Sequence, residues 1–120
     1  NSEFISLSGL LGYPTFNYSN SNNQFVFEGF LPKKKGRSSK ISSLKNEERT
    51  LIFYESPHRI LKTLVQFEAV YGKDRQVSVS RELRKKFEQT INGSLSTVRT
   101  HFENNKPKGE FVIVLSGNPM

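Results

Sequence analysis

Ten residues, Thr50 to Arg59 (TLIFYESPHR), constrain this chain more than any other stretch, because an apolar run ends there directly on a helix-start signal. Thr50, Leu51, Ile52, Phe53 and Tyr54 are β-branched, aliphatic or aromatic, as a buried strand prefers, and Glu55 and Ser56 close the run. Ser56 reads as an N-cap and Pro57 as the first helical residue, where a missing N–H costs nothing. His58 and Arg59 then fall in the first turn. A strand end that opens into a helix N-terminus gathers free N–H groups and polar side chains, the usual ligand position in α/β proteins, although the same pattern also serves as a plain structural junction. Arg59 runs against the helix dipole, and a local rule broken at such a junction points to function.

A length of 120 residues allows one modest core, hence a single domain, and with only 34% hydrophobic residues the ten Phe and four Tyr must carry much of the packing. The absence of Cys excludes disulfides, thiolate metal sites and cysteine nucleophiles; His58 and His101 fit no zinc-ligand spacing, so no metal is expected. No apolar run reaches membrane-spanning length and no signal-peptide pattern opens the chain, so the expectation is a cytoplasmic protein with no membrane partner. Lys and Arg number 18 against 11 acidic residues, a net charge of +7 that favours a polyanionic partner. The cations cluster: Lys33, Lys34, Lys35, Arg37, Lys40, Lys45 and Arg49 in one stretch, Arg81, Arg84, Lys85 and Lys86 in another. If their strands are neighbours, the clusters form one phosphate-tracking face; otherwise they are two solvated loops.

Phe4, Leu7 and Leu11 recur at helical spacing in a chain that starts at Asn1 without Met, so residues 1–23 read as the tail of an upstream helix and an Asn/Ser-rich loop, followed by a domain over residues 24–120. Gln24 to Phe30 alternates as a strand, Lys33 to Gly36 forms a basic turn, and Ser38 to Asn46 forms a short helix with Ile41 and Leu44 inward. After the strand Thr50 to Glu55, a helix from Pro57 to Tyr71 carries Ile60, Leu64, Phe67 and Tyr71 on one stripe and stops at Gly72. Arg75 to Arg81 is the next strand, and strand–helix–strand in this order predicts a parallel βαβ unit. Phe87 to Ile91 is a short strand ended by Asn92-Gly93; Ser94 caps a helix with Leu95, Val98 and Phe102; and Phe111 to Leu115 (FVIVL) is a central strand buried on both faces. The fold class is α/β, a mixed sheet of about five strands with about three helices.

Taken together, FEGFLPKKKGR (Phe27 to Arg37), TLIFYESPHR, SRELRKKFE (Ser80 to Glu88) and GEFVIVLSG (Gly109 to Gly117) resemble one family in order and separation. It is the bacterial ribosomal small-subunit RNA 2′-O-methyltransferases, a branch of the tetrapyrrole (corrin/porphyrin) methylases, and the likeness runs from about Ser8 onward to the second of their two α/β domains. The resemblance implies S-adenosylmethionine as cofactor, a cytidine ribose of small-subunit ribosomal RNA as substrate, and a homodimer. The Gly-rich DAGTP-type segment of the first domain has no counterpart here, so the isolated domain is expected to lack half its active site. Arg84 stands where the family has Thr, and the loop from Leu11 to Asn23 is longer than usual.

By the same resemblance, Tyr54, Glu55, Ser56, Leu115 and Gly117 match cofactor-binding positions, and Pro32, Lys34, Arg37, Arg59 and Arg81 match the substrate side. Glu82, His58 and Lys85 are the catalytic candidates, with Glu82 equally able to serve as a partner for Arg81 or Arg59. His101, beside Phe102 in a helix, reads as a packing residue. Two other functions share these features: a tetrapyrrole methylase, which predicts an apolar cleft and no broad basic face, and a non-catalytic RNA-binding module, which lacks an aromatic stacking pattern in this sequence.

Overall fold

A computed structural model describes residues 25–83 and 86–118, with the backbone alone for residues 82, 83 and 86–88. The segment 1–23 and the candidate Lys85 lie outside the described residues. The elements run β1 (Phe25–Phe30), α1 (Arg37–Ser43), β2 (Thr50–Glu55), α2 (Ile60–Tyr71), β3 (Gln76–Leu83), β4 (Lys86–Ser94), α3 (Leu95–Asn104) and β5 (Glu110–Leu115). The five strands form one mixed sheet in the order β1-β2-β5-β3-β4.

β1 and β2 pair in parallel across α1, with a bulge between Phe27 and Gly29 that leaves Glu28 unopposed. Gly29 supplies the positive φ (67°) the bulge needs, and Glu28 is ion-paired with Lys40 of α1 at 2.9 Å. β5 is antiparallel to both β2 and β3 and lies between them. The expected β2–α2–β3 unit is therefore a split one: β2 and β3 run in the same direction but never pair, because the more apolar FVIVL strand takes the central position.

Strand alternation decides which residues the helices cover. Leu51 and Phe53 of β2, Phe111, Ile113 and Leu115 of β5, and Val77 and Val79 of β3 join one core cluster with Ile41, Ile60, Leu64, Phe67, Tyr71, Leu95, Val98 and Phe102 from the three helices. Phe53 and Phe67 are fully buried with ring centroids 5.0 Å apart, and burial of such a side chain contributes ~1.5–3 kcal/mol. On the other face Ile52, Val112 and Val114 are also buried, and cross-strand polar pairs continue the row: Ser78 Oγ donates to Asn92 Oδ1 at 2.7 Å, and Ser80 and Thr90 share a hydroxyl bond at 2.9 Å.

Those pairs explain a second difference from expectation. β4 continues through Asn92 and Gly93, which pair with Ser78 and Val77, so a dipeptide that reads as a turn is held in the ladder by its partners. Helix starts also shift: α2 begins at Ile60, after a turn in which the Ser56 carbonyl accepts from the N–H groups of Arg59 and Ile60, each at 3.1 Å. α3 starts as expected, with Ser94 Oγ accepting from the Thr97 N–H at 3.2 Å.

Candidate functional site

Because β1, β2 and β3 all point the same way, their C-terminal ends meet at one end of the sheet. Glu55 of β2 and Arg81 of β3 both pair with Phe111 of β5; one row before them, Tyr54 and Ser80 both pair with Val112. The loop after β1 (Lys33, Lys34 and Lys35, all exposed) and the turn after β2 (exposed His58, half-buried Arg59) leave the sheet at this same end. Arg59 Nη1 donates to the Lys33 carbonyl at 3.3 Å, so the basic loop and the turn touch. Arg59 and Arg81 thus stand at one end of one sheet, but the strands that lead into the two basic clusters, β1 and β3, are not neighbours, and Arg84, Lys85 and the Lys86 side chain lie outside the described residues.

Beneath the loop lies a buried polar network. Arg37 is 4% exposed and spends its guanidinium inward: Nε donates to Gln66 Oε1 at 2.8 Å, Nη1 to the Pro32 carbonyl at 3.1 Å and Nη2 to Thr63 Oγ1 at 2.6 Å. Thr63 in turn donates to Glu55 Oε2 at 2.5 Å, and Arg37 Nη2 lies 3.7 Å from the same oxygen. Glu55 Oε1 accepts from the Ser56 N–H at 2.9 Å. With both carboxylate oxygens engaged and the residue 5% exposed, the Glu55 side chain is an internal anchor.

Two further features mark this end. Arg81 Nε is buried and finds no hydrogen-bond acceptor among the described residues. Tyr54, half-buried, packs against Phe27 (centroids 5.2 Å apart) and Phe30 (5.4 Å), and Phe30 is 63% exposed. The resulting aromatic edge beside three lysines was not legible as a pattern in the sequence, since its members come from two strands and meet only through the β1–β2 register.

The structure does not bring every candidate together. Leu115 pairs with Leu51 and Val77, at the starts of β2 and β3, because β5 runs antiparallel to both. It is fully buried at the opposite end of the sheet from Tyr54, Glu55 and Ser56. Gly117 lies farther that way, packed so closely that a Cβ would collide with the Glu48 carbonyl. Arg37, matched to the substrate side, is buried and committed to internal partners, whereas Pro32 and Lys34 are exposed. Glu82 is placed by its backbone, which pairs with Glu110 and Phe87; its side chain and Lys85 lie outside the described residues. His101 meets Phe102 edge-on at 5.1 Å, in keeping with a packing role. The residue that sequence reasoning missed is Thr63, whose polar side chain sits on the apolar stripe between Ile60 and Phe67; that break in the stripe was the available signal.

No protein-family model matches the chain. Curated relatives that carry the name ribosomal RNA small subunit methyltransferase I include proteins from Synechocystis sp., Thermotoga maritima and Haemophilus influenzae. The protein from Synechocystis sp. is 46% identical over 98 residues, 81% of this chain and 35% of the relative. The one from Thermotoga maritima is 44% identical over 95 residues, 79% of this chain and 42% of the relative. The one from Haemophilus influenzae is 41% identical over 102 residues, 82% of this chain and 36% of the relative. The chain spans between 35% and 42% of the length of these proteins.

Proposed function

This chain is a relative of the ribosomal RNA small subunit methyltransferase I proteins, and from that premise we propose that it is one α/β domain of a two-domain enzyme that methylates small-subunit ribosomal RNA with S-adenosylmethionine as donor, on the 2′-oxygen of a cytidine. The observation that carries this reading is the convergence of three strand ends, two touching polar loops and a set of exposed lysines at one end of the sheet, in a chain so related.

The strand end suits such a donor. Tyr54 and Ser56 are half-buried there, and the Arg81 Nε–H, which has no acceptor among the described residues, suits an anionic or carbonyl oxygen such as a donor carboxylate or an RNA phosphate. When bound, S-adenosylmethionine supplies a methyl group already activated on a sulfonium. What remains for the protein is mostly alignment of the attacking 2′-oxygen, and holding reactants in line is worth up to ~7–11 kcal/mol. Lys33, Lys34, Lys35 and Arg59 neutralise and position the RNA backbone. A base that accepts the hydroxyl proton adds ~10²–10⁴-fold. His58, exposed in the turn, is the candidate among the described side chains, and Glu82 and Lys85 remain candidates by resemblance.

The exposed lysines favour RNA over a tetrapyrrole as substrate. Phe25, Phe27 and Phe30, exposed on an edge strand, support pairing into a homodimer, which light scattering would detect and a monomer at high concentration would refute. Ribosomal subunits as substrate support a location in the compartment where ribosomes are assembled, the cytoplasm of a bacterium. The deciding assay supplies labelled S-adenosylmethionine and small ribosomal subunits to the intact enzyme that contains this chain. Label in alkali-resistant dinucleotides of the RNA supports the reading, and its loss in Arg59→Ala supports the site. Label confined to bases, or none on RNA, overturns it.

A further inference from the structure

The lysine loop is gripped from below by two arginines through three successive backbone carbonyls. The Pro32 carbonyl accepts from Arg37 Nη1 at 3.1 Å, the Lys33 carbonyl from Arg59 Nη1 at 3.3 Å, and the Lys34 carbonyl from the Arg37 N–H at 3.1 Å. With those carbonyls engaged, Lys33, Lys34 and Lys35 are all exposed. Arg37 is itself fixed by Gln66 and Thr63 of α2, and Thr63 by Glu55 at the end of β2. A loop that would otherwise wander is thereby tied to two rigid elements.

We propose that Arg37 is a positioning residue: the buried Arg37–Thr63–Glu55 relay holds the Lys33–Lys35 loop in the one arrangement that presents its charges to RNA phosphates, and Arg37 itself never touches RNA. The inference rests on the RNA-methylating reading and adds which buried groups set its substrate affinity. Burial argues for it, because an arginine 4% exposed, with Nε, Nη1 and Nη2 each donating to a partner inside the protein, is turned away from a ligand at the surface. The chemistry argues for it too. A buried ion pair often adds little net stability compared with apolar side chains of the same volume, so what this one supplies is geometry. A lysine at position 37 would keep the charge and lose the planar fork that reaches three acceptors at once.

The test compares wild type, Arg37→Lys, Thr63→Val and the milder Gln66→Leu in the intact enzyme. Affinity for small-subunit ribosomal RNA is measured across salt concentrations, with KM and kcat for methyl transfer measured alongside. Thr63→Val and Gln66→Leu alter side chains that lie beneath the loop and bond to Arg37. Expected is a fivefold or larger loss of RNA affinity in Arg37→Lys and Thr63→Val, a smaller loss in Gln66→Leu, and a loss that falls on KM rather than kcat. If Arg37→Lys retains full affinity and a further variant, Arg37→Ala, lowers the salt slope by one phosphate's worth, Arg37 is a direct ligand and the proposal is wrong. If all three variants lower the melting temperature but leave RNA affinity intact, the relay is only structural and the proposal is equally wrong. Binding is read without chemistry, so a wild type that binds RNA yet transfers no methyl group overturns the methylation reading alone.

Discussion

Glu55 and Arg81 occupy one row of the sheet, each paired with Phe111 between them, yet they do not neutralise each other. Two strand spacings, roughly 10 Å, separate their backbones. Glu55 turns to Ser56, Thr63 and Arg37, which leaves Arg81 Nε buried without an acceptor among the described residues. A buried donor left unsatisfied costs ~1–3 kcal/mol. Arg81→Met is therefore expected to leave folding stability unchanged or raise it by up to about that amount, while methyl transfer by the intact enzyme drops at least tenfold. Denaturant titration paired with the labelled-methyl assay checks both halves.

Gly117 has a different reason to resist change. A Cβ at this position would run into the Glu48 carbonyl, and backbone cannot yield as a flexible side chain does. Gly117→Ala is expected to lower stability by ~1–3 kcal/mol, the usual cost of overpacking, with the denaturant midpoint as the readout.

Tyr71 donates its buried hydroxyl to the Ile41 carbonyl at 2.7 Å and so ties α2 to α1. Tyr71→Phe removes this bond but leaves the Ile41 carbonyl accepting from the Leu44 N–H at 3.3 Å, and is expected to cost ~0.5–1.5 kcal/mol. Burial pushes the phenol well above its ordinary range. The unfolded chain gives up this proton first, near pH ~10, so wild-type stability should fall as pH climbs past that value and the Phe variant should lose that part of the slope. Chemical denaturation between neutral and strongly alkaline pH measures it.

At the acid side the group to watch is Glu47. Hydrogen bonds from the Arg49 side chain and then its backbone N–H hold the carboxyl down, from 4.5 to about 2. Its contribution is complete above pH 4.5 and is lost as pH falls toward 2, since the unfolded chain takes up the proton first. The pair is near the surface, so the effect is small and screened by salt. Glu47→Gln should flatten the stability curve between those two pH values at low ionic strength, with little change at neutral pH.

Each exposed lysine of the loop should act independently on RNA binding. Lys34→Ala is expected to reduce the slope of log affinity against log salt by ~0.7–0.9, with the loss similar for any RNA sequence. A loss confined to one sequence would instead indicate base contact.

Much of this arrangement is readable before any coordinates. FVIVL is too apolar to be anything but a strand covered on both faces, and Ser94 caps α3 as its side chain predicts. What sequence does not encode locally is pairing direction. β5 antiparallel between β2 and β3 moves Leu115 and Gly117 to the far end from Tyr54, although both belong to a motif that reads as one pocket with it. Arg37 illustrates a second blind spot: in a run of seven cations it reads as a surface charge, and only Thr63, a polar residue on an apolar stripe, hints that a cation is buried beneath. Asn92-Gly93 illustrates a third, because cross-strand partners override a turn signal.

The position of β5 has a consequence for how the chain is made. Pairs β1–β2 and β3–β4 can zip as soon as they leave the ribosome, but each keeps an open flank until β5, which follows all four in the chain, slots between them. Premature termination between Ser94 and Glu110 would release two half-sheets with raw, adhesive borders, and such fragments should precipitate rather than linger as partly folded domains.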